Sequence, residues 1–567
     1  MVKNGYSPTV SGVWKDFEKG LAFNVQTGFS DTVQTNENFF IGKQWEGVLS
    51  NGLPTPVFNF LKRVVLFTVA GITSSCVKMQ ASAMPDDGGS LDMGEVTDTV
   101  NHEFERLFEE NKLLMLMREL LRNTAVDGDG CTYTYWDPDA PSGQFCSGAV
   151  VTEVIENSRV FFGNTSDRRV ERQPYILIMS REMTDDVRAR AKKNGCADLE
   201  MVKSDTDERK PDQNNAQDEL TTVLLKLWRD SDTGTIWCYE CTKNAEIRKA
   251  WDTGLTRYPI TWLNWDYVQD SYHGQAMVTG LIPNQIFINK LYAMSMISLM
   301  TTAYPKIVYD KTRVSKWDNR VGAAIPVQGG DVNSVARIID PAQISPQIAQ
   351  FIQMAKEDTL SALGATSVAL GDARPDNTSA IIALQKAAAV PNELTRQNLY
   401  QNLEDLGRIY IDFMGEYYGT RRLDTAGTVK QSTRPVGNLQ SPFFNFDVLK
   451  TINLSLKLDV GASSYWSEIA AMQTLDNLLM RGKIDLIDYL ERVPDGYIIK
   501  KQELLDKLES AKAGAAQPGM TAPFGMGNTA GAMVQPAMSR PGMPTIGAQA
   551  EQLQQLLQRP PTAPGLR

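Results

Sequence analysis

Hydrophobic and polar positions fall into their most regular pattern between Gly274 and Ala303. From Leu281 onward Ile282, Ile286, Leu291, Met294, Ile297 and Met300 recur at three- to five-residue steps, a helical period rather than strand alternation. About 20 residues of helix span roughly 30 Å, the diameter of a small domain. The other face carries Asn284, Gln285, Asn289, Ser295 and Ser298, with Lys290 the only charge. This fits neither a solvated surface helix nor a lipid-facing one, so the stretch is read as a packing axis. Pro283, the amides and the lysine argue against a membrane span, because polar groups at mid-bilayer are costly. A second apolar run, Val57 to Ile72, is broken by Lys62 and Arg63. The chain opens MVKNGYSPTVSGVWKDFEKG without an apolar leader, so a soluble, non-secreted protein is expected.

The same patterning organises the rest of the chain. Helical potential runs from Gly12 to Leu21, and turn residues at Asn51-Gly52 and Pro54-Thr55-Pro56 precede a helix expected near Val57. Phe104, Leu107, Phe108, Leu114, Met117 and Leu121 line one side of Gly94 to Asn123, an amphipathic helix or helix pair. The β-branched and aromatic runs CTYTYWDPDAPSGQF and VVTEVIENSRVFFGNTSD predict a small antiparallel sheet. A helix is expected over Ser180 to Gly195, capped by Ser180 or Thr184, then a charged loop over Ser204 to Glu219. Two strands should follow about a turn at Asp230 to Gly234, with strand character again over Arg257 to Trp265.

Beyond the central helix, Tyr304 to Tyr309 and GAAIPVQGG read as strands, and Ser345 to Leu363 as a helix with Pro346 in its first turn. GATSVALGDARPDNTS reads as a loop. A long helical run from Ser379 to Gly419 is expected to be interrupted at Pro391, residues 450–461 to form a strand, and Ser467 to about Ala511 three short helices. After Ala511 the composition turns to Gly, Pro, Ala and Met with Glu551 the only acid, which predicts disorder. The fold class is α+β, in more than one domain for 567 residues.

Lys+Arg 57 against Asp+Glu 67 gives a net charge of −10, which argues against a basic-faced sequence reader of nucleic acid. Six cysteines are scattered too widely for a small disulfide framework. Cys238 and Cys241 have metal or redox spacing, but no second cysteine or histidine pair lies nearby, so they are read as reduced residues of a strand. Asp127-Gly128-Asp129-Gly130 lacks the later ligands of a calcium loop and is read as a turn. There is no GxxxxGK[ST], GxGxxG, HExxH or GxSxG motif, and only His102 and His273 could supply imidazole. No catalytic, cofactor or metal residues are assigned, and no enzymatic activity is expected.

The order of elements adds a resemblance. FFIGKQWEG with LPTPVFNFLKRVV, the PYILIMSREMT step, RYPITWLNWDYVQDSYHGQAMVTGLIPNQIFINKLYAMS, GDARPDNTSAIIALQKAA and LKLDVGASSYWSEIAAMQTLDNLLMRGKIDLIDYLERVP together span most of residues 38–508. In that order they resemble a tailed-bacteriophage portal protein, the head-to-tail connector. The resemblance implies a ring, usually of twelve subunits, around an axial DNA channel. It implies a wing over 1–179 and 304–450, stem helices over 180–195 and 274–303, a β-rich clip over 196–273 and a helical crown over 451–511. The tail covers 512–567 and a tunnel loop about 364–379. The implied partners are other copies of the chain, double-stranded DNA passing without sequence preference, the terminase large subunit, capsid and scaffolding proteins, and head-tail adaptor or tail proteins. There is no membrane partner, and the place is the virion, assembled in the host cytoplasm. The DNA-channel candidates are Arg374, Asp372, Asp376, Asn377 and Lys290. Two alternatives stand beside this reading: an oligomeric helical scaffold without a channel, and a hydrolase with an unrecognised carboxylate site.

Overall fold

The computed structural model describes residues 6–508 apart from 51, 74–76, 84–92, 141–146, 208–218, 304–306, 317, 319–324, 332–333, 339–346, 363–377, 423–442, 461–464, 494–503 and 506. The chain divides between Thr474 and Leu475 into two compact units.

In the first unit the N-terminal helices are α1 (Val10–Gln26), α2 (Phe29–Ile41) and α3 (Phe60–Ile72), followed by strand β1 (Val77–Ala83) and helices α4 (Met93–Glu110) and α5 (Leu113–Asp127). Their boundaries are chemical. Thr9 Oγ1 accepts from the Gly12 amide and Asn59 Oδ1 from the Lys62 amide, each satisfying an N–H that the first turn leaves unpaired. Gly42, at φ 99°, ends α2 in the left-handed region that favours glycine. The expected segment Gly94 to Asn123 is a pair of helices, broken where Lys112 sits at φ 51°.

Two antiparallel sheets follow. One has the order β3-β2-β9, from β2 (Asp129–Asp137), β3 (Ala149–Ile155) and β9 (Ile260–Asn264). The other runs β4 (Val160–Phe162), β5 (Ile176–Met183), β6 (Leu220–Arg229), β7 (Ile236–Cys241) and β8 (Glu246–Asp252) in sequence order. Helix α1 covers one face of the larger sheet, where Val13, Trp14 and Phe17 bury against Phe161, Leu177, Met179, Leu224 and Tyr239. Helix α6 (Thr184–Lys193) sets Val187 and Ala191 against Val223 and Ile247. A larger core joins α3, α4, α5 and the smaller sheet to the later helices.

Helix α7 (Met277–Ala303) leads to the short pair β10 (Ile307–Tyr309) and β11 (Ala336–Ile338), then α8 (Gln347–Ala362) and α9 (Thr378–Phe413). A π-helical turn, Met414–Tyr418, extends α9. The pair β12 (Thr420–Arg422) and β13 (Phe443–Asn445) follows, and β14 (Leu454–Val460) returns to pair with β1 along its full length. Helix α10 comprises Tyr465–Met480, and the second unit begins at Leu475. There α11 (Leu486–Arg492) starts on an Asp485–Asp488 capping box, and Tyr489 Oη donates to Asp476 Oδ1 at 2.6 Å.

Several expectations change. The helix read over Ser180 to Gly195 begins only at Thr184, because Ser180 to Met183 continue β5 in register with Val223 to Leu220. Neither Ser180 nor Thr184 caps it; the N-cap is Met183, without a side-chain bond. The stem helix implied over 180–195 is therefore a helix of 10 residues seated on a sheet. Segment 196–273 forms no sheet of its own: β6 to β8 join β4 and β5, and β9 joins β2. Strand β8 was not foreseen. Pro391 does not interrupt α9, which runs through it. The second strand expected at GAAIPVQGG forms later, at Ala336–Ile338. The tail over 512–567 and the tunnel loop up to residue 377 lie outside the described residues.

Candidate functional site

The site begins where β9 turns into α7, and a buried carboxylate holds that turn. Asp129, fully buried at the start of β2, accepts from Asn264 Nδ2 at 2.7 Å and from the Gly274 amide at 2.7 Å through Oδ1. Its Oδ2 lies 2.7 Å from His273 Nδ1. The other ring nitrogen, Nε2, lies 3.2 Å from Asn24 Oδ1 on α1. Phe29 stacks on the imidazole at 3.6 Å between ring centroids, with Tyr272 at 3.9 Å. Both imidazole nitrogens are occupied within the protein, so the pair acts as a clasp tying α1, α2 and β2 to the entrance of α7. Gly128 completes it: its φ of 99° suits glycine, and a Cβ there would sit 2.6 Å from the Gly274 carbonyl oxygen.

The next two turns of α7 are pinned by amides. Thr279 Oγ1 receives Asn36 Nδ2 at 2.9 Å. Gln285 Nε2 donates to the Phe58 carbonyl at 2.8 Å and to Asn289 Oδ1 at 3.0 Å. Asn289 Nδ2 donates to Gln44 Oε1 at 2.6 Å, and Gln44 in turn donates to the Phe39 carbonyl. Gln285 is 0 % exposed and Asn289 2 %. The expected packing face is thereby corrected. The buried side of α7 is Val278, Leu281, Gln285, Ile288 and Asn289, whereas Met294 and Met300 are exposed and Ile282, Ile286, Leu291 and Ile297 half-buried. The physical reason is polar pairing: buried amides are tolerated where each meets a partner.

Beyond Asn289 the helix opens out. Lys290 is exposed, and Phe287, Met294, Met296, Leu299 and Met300 present apolar surface around it. Lys290 is the one charged side chain of α7, and a single ammonium on a long stem can meet a phosphate without reading a base. The other candidates, Arg374, Asp372, Asp376 and Asn377, lie outside the described residues, so they are not brought together with Lys290 here.

Cys238 and Cys241 are buried free thiols on opposite faces of β7, one in the main core and the other under α1. Burial pushes both thiols up, Cys241 to about 12. Two thiols divided by a sheet cannot share an ion. Among the described residues no cluster of three His, Cys, Asp or Glu could hold a metal, and no helix is long and apolar enough to cross a membrane.

Sequence reasoning misses the clasp, although its parts are in view: one of two histidines, directly before a glycine, and an Asp-Gly-Asp-Gly stretch read as a plain turn. Only the Gln285–Asn289 spacing of four is local; the Phe58 carbonyl and Gln44 that meet these amides lie more than 220 residues away and leave no signal in the sequence.

Helix α7 is thus clasped at its start, while Phe287, Met294, Met296, Leu299 and Met300 are exposed further along it. Residues 127–429, more than half of the 567, match the family described as phage P22-like portal protein, and the chain belongs to that family. No curated protein matches the sequence.

Proposed function

We propose that this chain is the portal protein of a tailed phage, forming a ring at one capsid vertex through which DNA is packaged and ejected. The observation that carries the reading is the family match, which spans Asp129 and His273 of the clasp, α7 and the segment holding Arg374. In this reading the ring is a passive, non-enzymatic conduit.

In this reading α7 is the second stem helix, 196–273 the clip, and the loop at about 364–379 projects into the channel. The ring is a platform for the packaging motor, the terminase large subunit, and for head-tail adaptor or tail proteins, held in the virion by capsid and scaffolding proteins. Charge supports the reading. Each strong phosphate contact adds a salt-dependent barrier to sliding, and a net charge of −10 with a single lysine on α7 keeps such contacts few.

The test is negative-stain microscopy of the purified protein together with an Arg374→Glu variant. Rings with a central hole are expected for both, with DNA packaging or retention altered only in the variant. Assemblies without a hole would favour the scaffold reading, and a monomer would overturn both. Unchanged packaging and retention would remove Arg374 from the channel.

A further inference from the structure

A second feature of the first unit shares Asn264 with the clasp. A cleft of about 410 Å³ opens between the loop preceding β5, strand β9 and the face of α9 around Asn398 to Ile409. Its rim carries Arg168, Arg169 and Arg257, all exposed, and its wall offers the amides of Asn398, Gln401 and Asn402.

The carboxylates around it are already engaged. Glu171 pairs with Arg229, and Asp405 with Arg408 at 2.9 Å. Asp167 Oδ1 accepts from the Arg169 amide, and Asp412 accepts from the Thr256 and Arg257 amides and the Thr256 hydroxyl. Among the described residues no carboxylate stands within ion-pair distance of the guanidinium of Arg168, Arg169 or Arg257; Arg168 lies over the Tyr267 ring at 4.6 Å. Three guanidiniums thus converge on one concavity of an acidic protein.

The loop that presents two of them is preorganised. Buried Gln173 donates to the carbonyls of Asp167, at 2.6 Å, and Arg169, and accepts from the Asn164 amide at 2.9 Å. The loop's ordering cost is therefore met before any ligand arrives. Planar guanidiniums beside neutral amide donors match a tetrahedral oxyanion better than any other common ligand group.

We propose that this cleft binds a phosphate group. The phosphate can come from a DNA backbone, which rests on the portal reading, or from a small phosphorylated molecule, which does not. The experiment uses the full chain in its assembled form. A labelled short DNA duplex is followed by anisotropy over a range of salt, and inorganic phosphate by calorimetry, in wild type, Arg169→Ala/Arg257→Ala and Arg169→Lys/Arg257→Lys.

Backbone binding is expected to weaken about tenfold per arginine lost to alanine, with the salt slope falling by about 1 for each. The lysine variant should retain the slope but bind less tightly. Loss of phosphate binding with duplex binding unchanged would assign the cleft to a small phosphorylated ligand. Duplex and phosphate binding both unmoved in the alanine variant, with its thermal unfolding unchanged, would overturn the proposal. Intact rings that package DNA in that variant would leave the portal reading standing whichever way the cleft falls.

Discussion

Asp129 and Asp127 stand two residues apart and meet opposite environments. Three donors converge on Asp129, and Asp129→Ala would leave the Asn264 amide, the Gly274 N–H and the His273 ring without their acceptor. Each stranded buried donor costs about 1–3 kcal/mol, so a loss of roughly 3 kcal/mol or more is expected in denaturant unfolding; a loss below about 1 would show that the clasp does not hold the turn. Asp127 is pushed up to about 7 by burial, a shift that Arg122 opposes and Glu37, Glu156 and Asp129 reinforce. In the unfolded chain the same carboxyl titrates near 3.9. Between about pH 4 and 7 the folded state therefore holds a proton that the unfolded state has released, and stability from this group is full below about pH 4 and declines as pH rises towards 7. Asp127→Asn should flatten that decline and raise the melting temperature above pH 7. Parallel melting-temperature profiles for variant and wild type across this window would contradict the assignment. For Cys238 and Cys241, elemental analysis should find no stoichiometric zinc; zinc lost on changing both to Ser would reverse their assignment as structural thiols.

At the scale of the element, α7 is the informative case. Its apolar spacing was legible as a helix, and the helix is there, but the spacing pointed to the wrong buried face. Ile286 and Met294 are not more buried than their polar neighbours, because the elements packed against the first half present the Phe58 carbonyl and the Gln44 amide. Gln285→Leu keeps the volume but leaves the Phe58 carbonyl and Asn289 short of a donor. Destabilisation of about 1–3 kcal/mol is expected, whereas exposed Lys290→Ala should change stability by less than about 0.5 kcal/mol. Chemical denaturation of the two variants measures the contrast, and equal effects would show that the amides do not anchor the helix. Helix α6 errs in the other direction. Its sequence reads as helical from Ser180, yet the ladder with β6 holds Ser180 to Met183 extended, since a strand edge left unpaired beside Leu220 to Val223 would strand backbone groups.

Across the whole molecule, the sheets join segments that are distant in sequence. β1 pairs with β14 nearly 380 residues later, and β2 pairs with both β3 and β9. Local sequence determined much of what lies within an element: the helical periods of α4, α5, α7 and α9, the turn at Asp230 to Gly234, the cysteines placed in a strand, and the ordered run of segments that resembles a portal protein. Those signals survive because periodicity and turn chemistry act over a few residues. Only the tertiary structure decided which face of α7 is buried, that Asp129 and His273 meet, and that three arginines from two distant segments rim one cleft. Each of these depends on partners brought together by long-range pairing, and a polar side chain carries no mark in the sequence of whether its partner will be water or another buried amide.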